Sequence, residues 1–492
     1  MNIKQAKEEL KHTIEAYMKK DEYGRYRIEA VRQRPVLLMG PPGIGKTAIM
    51  EQIAKECGIG LVSYTITHHT RQSAIGLPFI EKKEYDGREY SITEYTMSEI
   101  IASVYDKMEI SGHKEGILFI DEINCVSETL APTMLQFLQC KMFGNHKVPE
   151  GWMIVAAGNP PEYNKSVRDF DIVTLDRVKK INVEEDYTIW KEYAYEKNIH
   201  SSILAYLEAR KEDFYRIETT VDGKEFVTAR GWEDLSEIMY LYEELGYEIT
   251  EDVVIQYVQH KRIAKDFANY LDLYYKYQNI YKVDEILAGK IQKSALESLQ
   301  KAQFDEKISM ISLLLTRLAA DIREALDQDL YTNELFRVLK EVQVENDAAI
   351  VLKRQKMKIE QMKEREMLDP ESETRARRLC RQLEEYVPIM AQKGFDDVKE
   401  AFASQVSLRK ELLDECGREL DNAFVFLEEA FGEGQELVWF VSELTANYYT
   451  AKYISRFGCE KYFYYNKELL LVEKDFEIQK EIDEVKDLLK FF

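Results

Sequence analysis

An α/β fold, with a mostly parallel sheet around a phosphate loop, then a small mainly helical domain and a helical C-terminal domain, is predicted by three features of this 492-residue sequence. Residues 40–47 read Gly40-Pro41-Pro42-Gly43-Ile44-Gly45-Lys46-Thr47, a complete G-x-x-x-x-G-K-[ST] pattern. Short apolar runs alternate with amphipathic stretches as far as residue 157, the order that builds parallel strands covered by helices. Proline then becomes scarce: eight of the ten lie at or before Pro161, and Lys290 to Asp369 holds neither glycine nor proline. Turn-rich chain gives way to long helices.

Val36-Leu37-Leu38-Met39 predicts a strand over 36–39, and the amphipathic Ala48–Ala54 predicts a helix over 46–57. Strands follow at 61–66, 116–121 and 152–157, with helices near 97–109 and at 128–139. Two hairpins interrupt this alternation, Lys83–Tyr90 around Asp86-Gly87 and Met142–Val148 around Gly144-Asn145. A third is expected at Thr219-Val221-Asp222-Gly223-Lys224-Phe226, inside the mainly helical stretch 184–285. Leu296, Leu299, Ile308, Ile311, Leu314 and Leu318 recur at helical intervals and allow a long antiparallel helical hairpin. The dense charge of Lys353–Glu366 reads as a solvated helix face, with a protruding partner-binding arm as the alternative. A break is expected near Gly432 and Gly434. The expected domains are 1–183, 184–285 and 286–492.

The chemistry-bearing residues begin with the loop. Its glycines let backbone N–H groups close on phosphates, Lys46 meets the β/γ oxygens, and the Thr47 hydroxyl suits Mg²⁺. The run Gly116-Ile117-Leu118-Phe119-Ile120 ends in Asp121 and Glu122: one carboxylate to position Mg²⁺, the next to polarise the attacking water. Asn159 follows the strand Met153–Ala157 and offers an amide to the lytic water or the γ-phosphate. Arg177, after a short loop containing Arg168 and Asp169, has the fork geometry that matches phosphate oxygens and suits action on a neighbouring copy's nucleotide. Arg230 opens a helix in the second domain, with a structural ion pair as its bland alternative.

In that order these residues resemble the AAA+ ATPases, specifically the MoxR-like branch with a helix-2 insert. The likeness spans roughly residues 10 to 285 and is most specific in Gly116–Pro161 and Thr228-Ala229-Arg230-Gly231-Trp232-Glu233. It implies an AAA+ core followed by a lid domain, with Walker A at Gly40–Thr47, Walker B at Asp121 and Glu122, sensor 1 at Asn159, an arginine finger at Arg177 and sensor 2 at Arg230. The Lys83–Tyr90 hairpin corresponds to the helix-2 insert and Met142–Val148 to the pre-sensor-1 hairpin. ATP and Mg²⁺ are the implied cofactors. The implied assembly is a ring of this chain's own copies, with six expected. Chaperone-like work on a separate protein carrying a von Willebrand factor A domain follows from the same likeness, since this chain has no D-x-S-x-S signature. One departure stands out: the family's Asp-Glu-Ile-Asn-Arg is Asp121-Glu122-Ile123-Asn124-Cys125 here.

A net charge of −22, spread along the chain, repels a phosphate backbone and argues against nucleic acid as partner. No apolar run approaches the ~18 residues of a membrane span. Six scattered cysteines form no C-x-x-C pair and read as buried thiols of a reducing cytoplasm. His68-His69 lacks a third ligand at metal spacing. The tyrosine runs 270–277, 448–453 and 462–465 read first as packing and second as a protein-binding face. The leading expectation is an Mg²⁺-dependent ATPase that remodels or matures a protein. A nucleotide-gated scaffold, with hydrolysis only as reset, is the alternative.

Overall fold

The computed structural model describes residues 1–68, 71–163, 167, 170–220, 223–364 and 370–467. These fall into two compact units, one of Met1–Ile189 with Thr228–Arg230, the other of Trp190–Val227, Gly231–Lys363 and the described part of 367–492. His69, Arg168, Asp169, Val221, Asp222, Arg365 and Glu366, singled out above, lie outside the described residues.

The first unit starts with α1 (Ile3–Met18), opened by a capping box between Asn2 and Gln5. The chain then runs through β1 (Val36–Met39), α2 (Lys46–Cys57), β2 (Gly60–Thr65), α3 (Arg71–Ile75), β3 (Pro78–Tyr85), β4 (Arg88–Tyr95) and α4 (Glu99–Ser111). There follow β5 (Gly116–Asp121), α5 (Ala131–Cys140), β6 (Met142–Phe143), β7 (His146–Lys147), β8 (Trp152–Gly158), α6 (Ile172–Leu175) and β9 (Lys179–Asn182). Among the described residues a five-stranded sheet has the order β2-β5-β8-β1-β9, and every neighbouring pair is parallel. The two-residue period of a strand sorts its side chains to opposite faces. Leu37, Leu118, Ile120, Ile154 and Ala156 pack with Ile100 and Val104 of α4 and Met134 and Phe137 of α5. Val36, Leu38, Phe119, Val155 and Ile181 pack with Leu10 and Ile14 of α1 and Ile49 and Ile53 of α2. Helices on both faces explain why the central strands are apolar throughout.

β3 and β4 pair antiparallel, joined at Asp86 and Gly87, both at positive φ. The expected 83–90 hairpin is therefore the tip of a longer ribbon, 78–95, most of whose side chains are exposed. β6 and β7 form the second hairpin.

The second unit holds most of α7 (Tyr187–Glu196), then α8 (Ser201–Ala209), the antiparallel pair β10 (Arg216–Thr220) and β11 (Gly223–Val227), and α9 (Ala229–Leu245) beyond its first two residues. The chain continues with α10 (Glu251–Tyr257), α11 (Lys261–Tyr281), α12 (Val283–Leu287) and α13 (Lys293–Gln300). Long helices follow: α14 (Phe304–Glu345), α15 (Ala348–Glu364), α16 (Pro370–Lys393), α17 (Phe395–Phe431), α18 (Gln435–Ala446) and α19 (Tyr448–Phe457). Leu299, Ile308, Ile311, Leu314 and Leu318 are buried as their spacing implies. α14 packs along α17, α8, α11 and α19. Tyr206, Trp232, Phe267 and Tyr270 form an aromatic cluster within this unit; of the 270–277 run, Tyr270 and Tyr274 are buried packing residues, while Tyr275 and Tyr277 are half-buried. In the 462–465 run Tyr462 is buried while Phe463 and Tyr464 are exposed.

The cysteines correct one expectation. All six are free thiols, but Cys140 is exposed and Cys57 and Cys125 are half-buried. Cys140 ends α5 on its solvent side, whereas Cys380, Cys416 and Cys459 sit inside the helical unit. No described helix is long and apolar enough to cross a membrane.

Candidate functional site

Three strands carry the chemical groups to the carboxyl end of one sheet, the edge at which open parallel sheets hold ligands. β1 exits into the phosphate loop, β5 ends in Asp121, and β8 ends at Gly158 before Asn159. β8 lies between β1 and β5, so the loop, the carboxylates and the amide meet although up to 119 residues separate them in sequence.

The loop's turn uses Gly43 and Gly45, with φ of +73° and +91°, a region open to glycine at little cost. Gly45 caps α2 without a side-chain acceptor, so the N–H groups of that helix's first turn are the kind of donors that receive an anion. Lys46 is buried at this end. Its Nζ donates to the carbonyls of Gly40 (2.9 Å) and Pro41 (2.7 Å) and to Asn159 Oδ1 (2.9 Å). Burial pushes the Lys46 ammonium down to about 8; Asp121 opposes this and the charge of Arg230 adds to it. That places Arg230 within electrostatic reach of Lys46, although its own side chain is exposed. Thr228, two residues earlier, packs so tightly on the loop that a β-carbon on Gly43 would lie 3.1 Å from its Cβ.

Thr47 Oγ1 donates to Asp121 Oδ2 (3.0 Å), which brings a hydroxyl and a carboxylate to one point. Both are hard oxygen donors, the chemistry that suits Mg²⁺ held by one or two protein groups together with phosphates and water. The described residues contain no group of three or more His, Cys, Asp or Glu able to hold a metal by themselves. Glu122 follows Asp121 in the left-handed region, φ 56°, and its N–H donates to Asp121 Oδ1 (2.8 Å). A non-glycine residue there is strained, and it stands just past the end of β5.

Sequence reading missed Thr67. Its hydroxyl donates to Glu122 Oε2 (3.0 Å), so the carboxylate is engaged before it can take a proton from water. Pairing of β2 with β5 sets this contact across 55 residues, and a lone threonine past a strand end gives no sequence signal for it. Arg177 is placed differently from the cluster. It is exposed, and its guanidinium donates to Gln139 Oε1 on α5. Nearby on α6, Ile172 and Val173 are 84% and 57% exposed.

No curated protein matches the sequence. Residues 36–175, from β1 to the end of α6, match the family model of the ATPase family associated with various cellular activities (AAA), so this chain carries an AAA ATPase domain.

Proposed function

We propose that this chain is a MoxR-like AAA+ ATPase that hydrolyses ATP with Mg²⁺ at the seam between identical protomers and uses the cycle to remodel or mature a protein partner. In this reading 1–183 is the nucleotide-binding core, 184–285 its lid and 286–492 the interaction domain. The observation that supports it is the convergence of Lys46, Thr47, Asp121, Glu122 and Asn159 at one sheet edge, with Arg177 turned to solvent.

The loop N–H groups and Lys46 grip the phosphate tail, while Thr47 and Asp121 would hold Mg²⁺, which when bound neutralises charge on the phosphates. Glu122 orients a water and accepts its proton. Asn159 fixes the position of Lys46 and of the terminal phosphate. Arg230 reads the nucleotide from the first turn of α9. Arg177, flanked by the exposed Ile172 and Val173, meets a neighbouring copy and stabilises the charge that develops as the phosphoryl group leaves. The expected partner is a separate protein with a von Willebrand factor A domain.

The test is Glu122→Gln. It should retain affinity for a fluorescent ATP analogue and lose nearly all hydrolysis. Equal turnover in the variant and the wild type overturns the assignment. Affinity purification with this variant and ATP should also retain the partner.

A further inference from the structure

We infer that Asn124 is a positioning residue for Asn159: its buried amide pins the chain at the point from which Asn159 reaches Lys46. The inference rests on the ATP-hydrolysis reading above and assigns a task to a residue that reading leaves idle.

Asn124 lies two residues beyond Glu122 and is 3% exposed. Its Nδ2 donates to the backbone carbonyl of Asn159 (2.7 Å), across 35 residues of sequence. The neighbouring backbone adds a second tie, Ile123 N–H to the Ala157 carbonyl (2.9 Å). Cys125 N–H closes the local turn on the Glu122 carbonyl (2.8 Å). The turn that presents Glu122 and the strand end that presents Asn159 are thereby one piece. Of these ties, the one nearest Asn159 is a side chain, and it can be removed without altering the backbone.

Two details favour positioning over simple packing. Asn124 Oδ1 is buried without a hydrogen-bond partner among the described residues. A group kept only to fill space would be less costly as an apolar side chain of the same shape. The donor half of the amide is therefore the useful half. Beside it, a β-carbon on Gly158 would lie 2.5 Å from Asn124 Oδ1, so the glycine is the socket into which the amide fits. From the pinned carbonyl, the Asn159 side chain extends to accept from Lys46 Nζ at 2.9 Å. Loosening the pin would let that amide swing away from the ammonium while the loop, Thr47 and Asp121 stay in place.

The experiment compares Asn124→Ala, Asn124→Asp, Gly158→Ala, Asn159→Ala and the double variant Asn124→Ala/Asn159→Ala. It measures kcat, affinity for a fluorescent ATP analogue, and thermal melting without added nucleotide. Asn124→Ala should lower kcat on the order of tenfold with affinity changed less than about threefold, the split expected when catalytic geometry and not binding is lost. Gly158→Ala should reproduce that loss by expelling the amide. Added to Asn159→Ala, the Asn124 substitution should lower kcat no further, because residues that act as one unit are not additive. Losses that multiply, or a kcat for Asn124→Ala within about twofold of wild type, overturn the inference. If Asn124→Ala does not melt cooperatively, the near-isosteric Asn124→Asp, which cannot donate when ionised, carries the comparison. Failure of both to fold makes the residue structural and also overturns it. A wild type without ATPase activity removes the functional reading and this inference together. An active wild type, an inactive Glu122→Gln and normal Asn124 variants remove this inference alone.

Discussion

A β-carbon at position 40 would lie 2.5 Å from the Val183 carbonyl oxygen and 3.2 Å from the Val183 Cβ. Val183 cannot retreat easily, because its N–H donates to the Met39 carbonyl (2.7 Å) as the chain leaves β9. Gly40→Ala should therefore force apart the strand exits on either side of the phosphate loop. The expected cost is about 1–3 kcal/mol, as for other overpacked sites, with a matching fall in melting temperature and weaker binding of a fluorescent ATP analogue. Unchanged melting and affinity would show that the exits can shift. The same scale explains what sequence reading reached here. Gly40, Lys46, Thr47, Asp121 and Asn159 stand at strand ends in a recognisable order, so their types and spacing announce them. Thr67 and the task inferred for Asn124 depend on which strands become neighbours, and spacing alone carries no trace of that.

Among the elements, β1 and α2 match the expected ranges to the residue, because glycine and proline punctuate an apolar strand and an amphipathic helix there. β9 leaves no mark in the sequence: Lys-Lys-Ile-Asn has no apolar run, and as an edge strand it buries only Ile181. Only the tip of the β3–β4 ribbon is legible in the sequence, since a hairpin exposed on both sides lacks the alternation that reveals strands. Within the helical unit, Lys191 of α7 bonds both Glu208 of α8 and Glu443 of α18, and the Tyr195 hydroxyl also donates to Glu443. All three charged groups are nearly buried. Lys191→Met should leave the buried Glu443 without its cation, while Glu208 keeps Lys211 at 2.9 Å, and lower stability by about 3 kcal/mol, read from denaturant melts. Glu419 of α17 shows the opposite arrangement. Burial first, then the charges of Asp321 and Glu415, pushes its carboxyl up to about 7. A carboxyl raised on folding stabilises fully below its unfolded value, near 4.5, and that contribution is lost as pH rises through about 7. The contribution of Glu419 to wild-type melting should thus fall between about pH 4.5 and about pH 7, and Glu419→Gln should reduce that fall. A variant with the same pH slope as wild type would exclude Glu419 as its source.

For the whole molecule, the proposed action of Arg177 on the next protomer's nucleotide would make turnover depend on assembly. ATPase rate per chain should rise with protein concentration, and Arg177→Ala should lose on the order of 10³-fold in turnover while binding nucleotide normally. Mixing Arg177→Ala with Glu122→Gln should restore part of the activity, because some seams then combine an intact glutamate with an intact arginine. If the mixture stays as inactive as its components, Arg177 acts within its own chain or not at all.

The longest helix sets a mechanical scale. α14 runs 42 residues without a break, with Ser309 near one end bonded to Tyr270 of α11 at 2.8 Å and Tyr331 to Val342 near the other packed among α15, α16 and α17. At 1.5 Å per residue this is a rod of about 63 Å, and a tilt of about 10° at the α11 end would displace its far tip by about 11 Å. Angular changes small at the near end would arrive at the tip as a stroke about as wide as a helix.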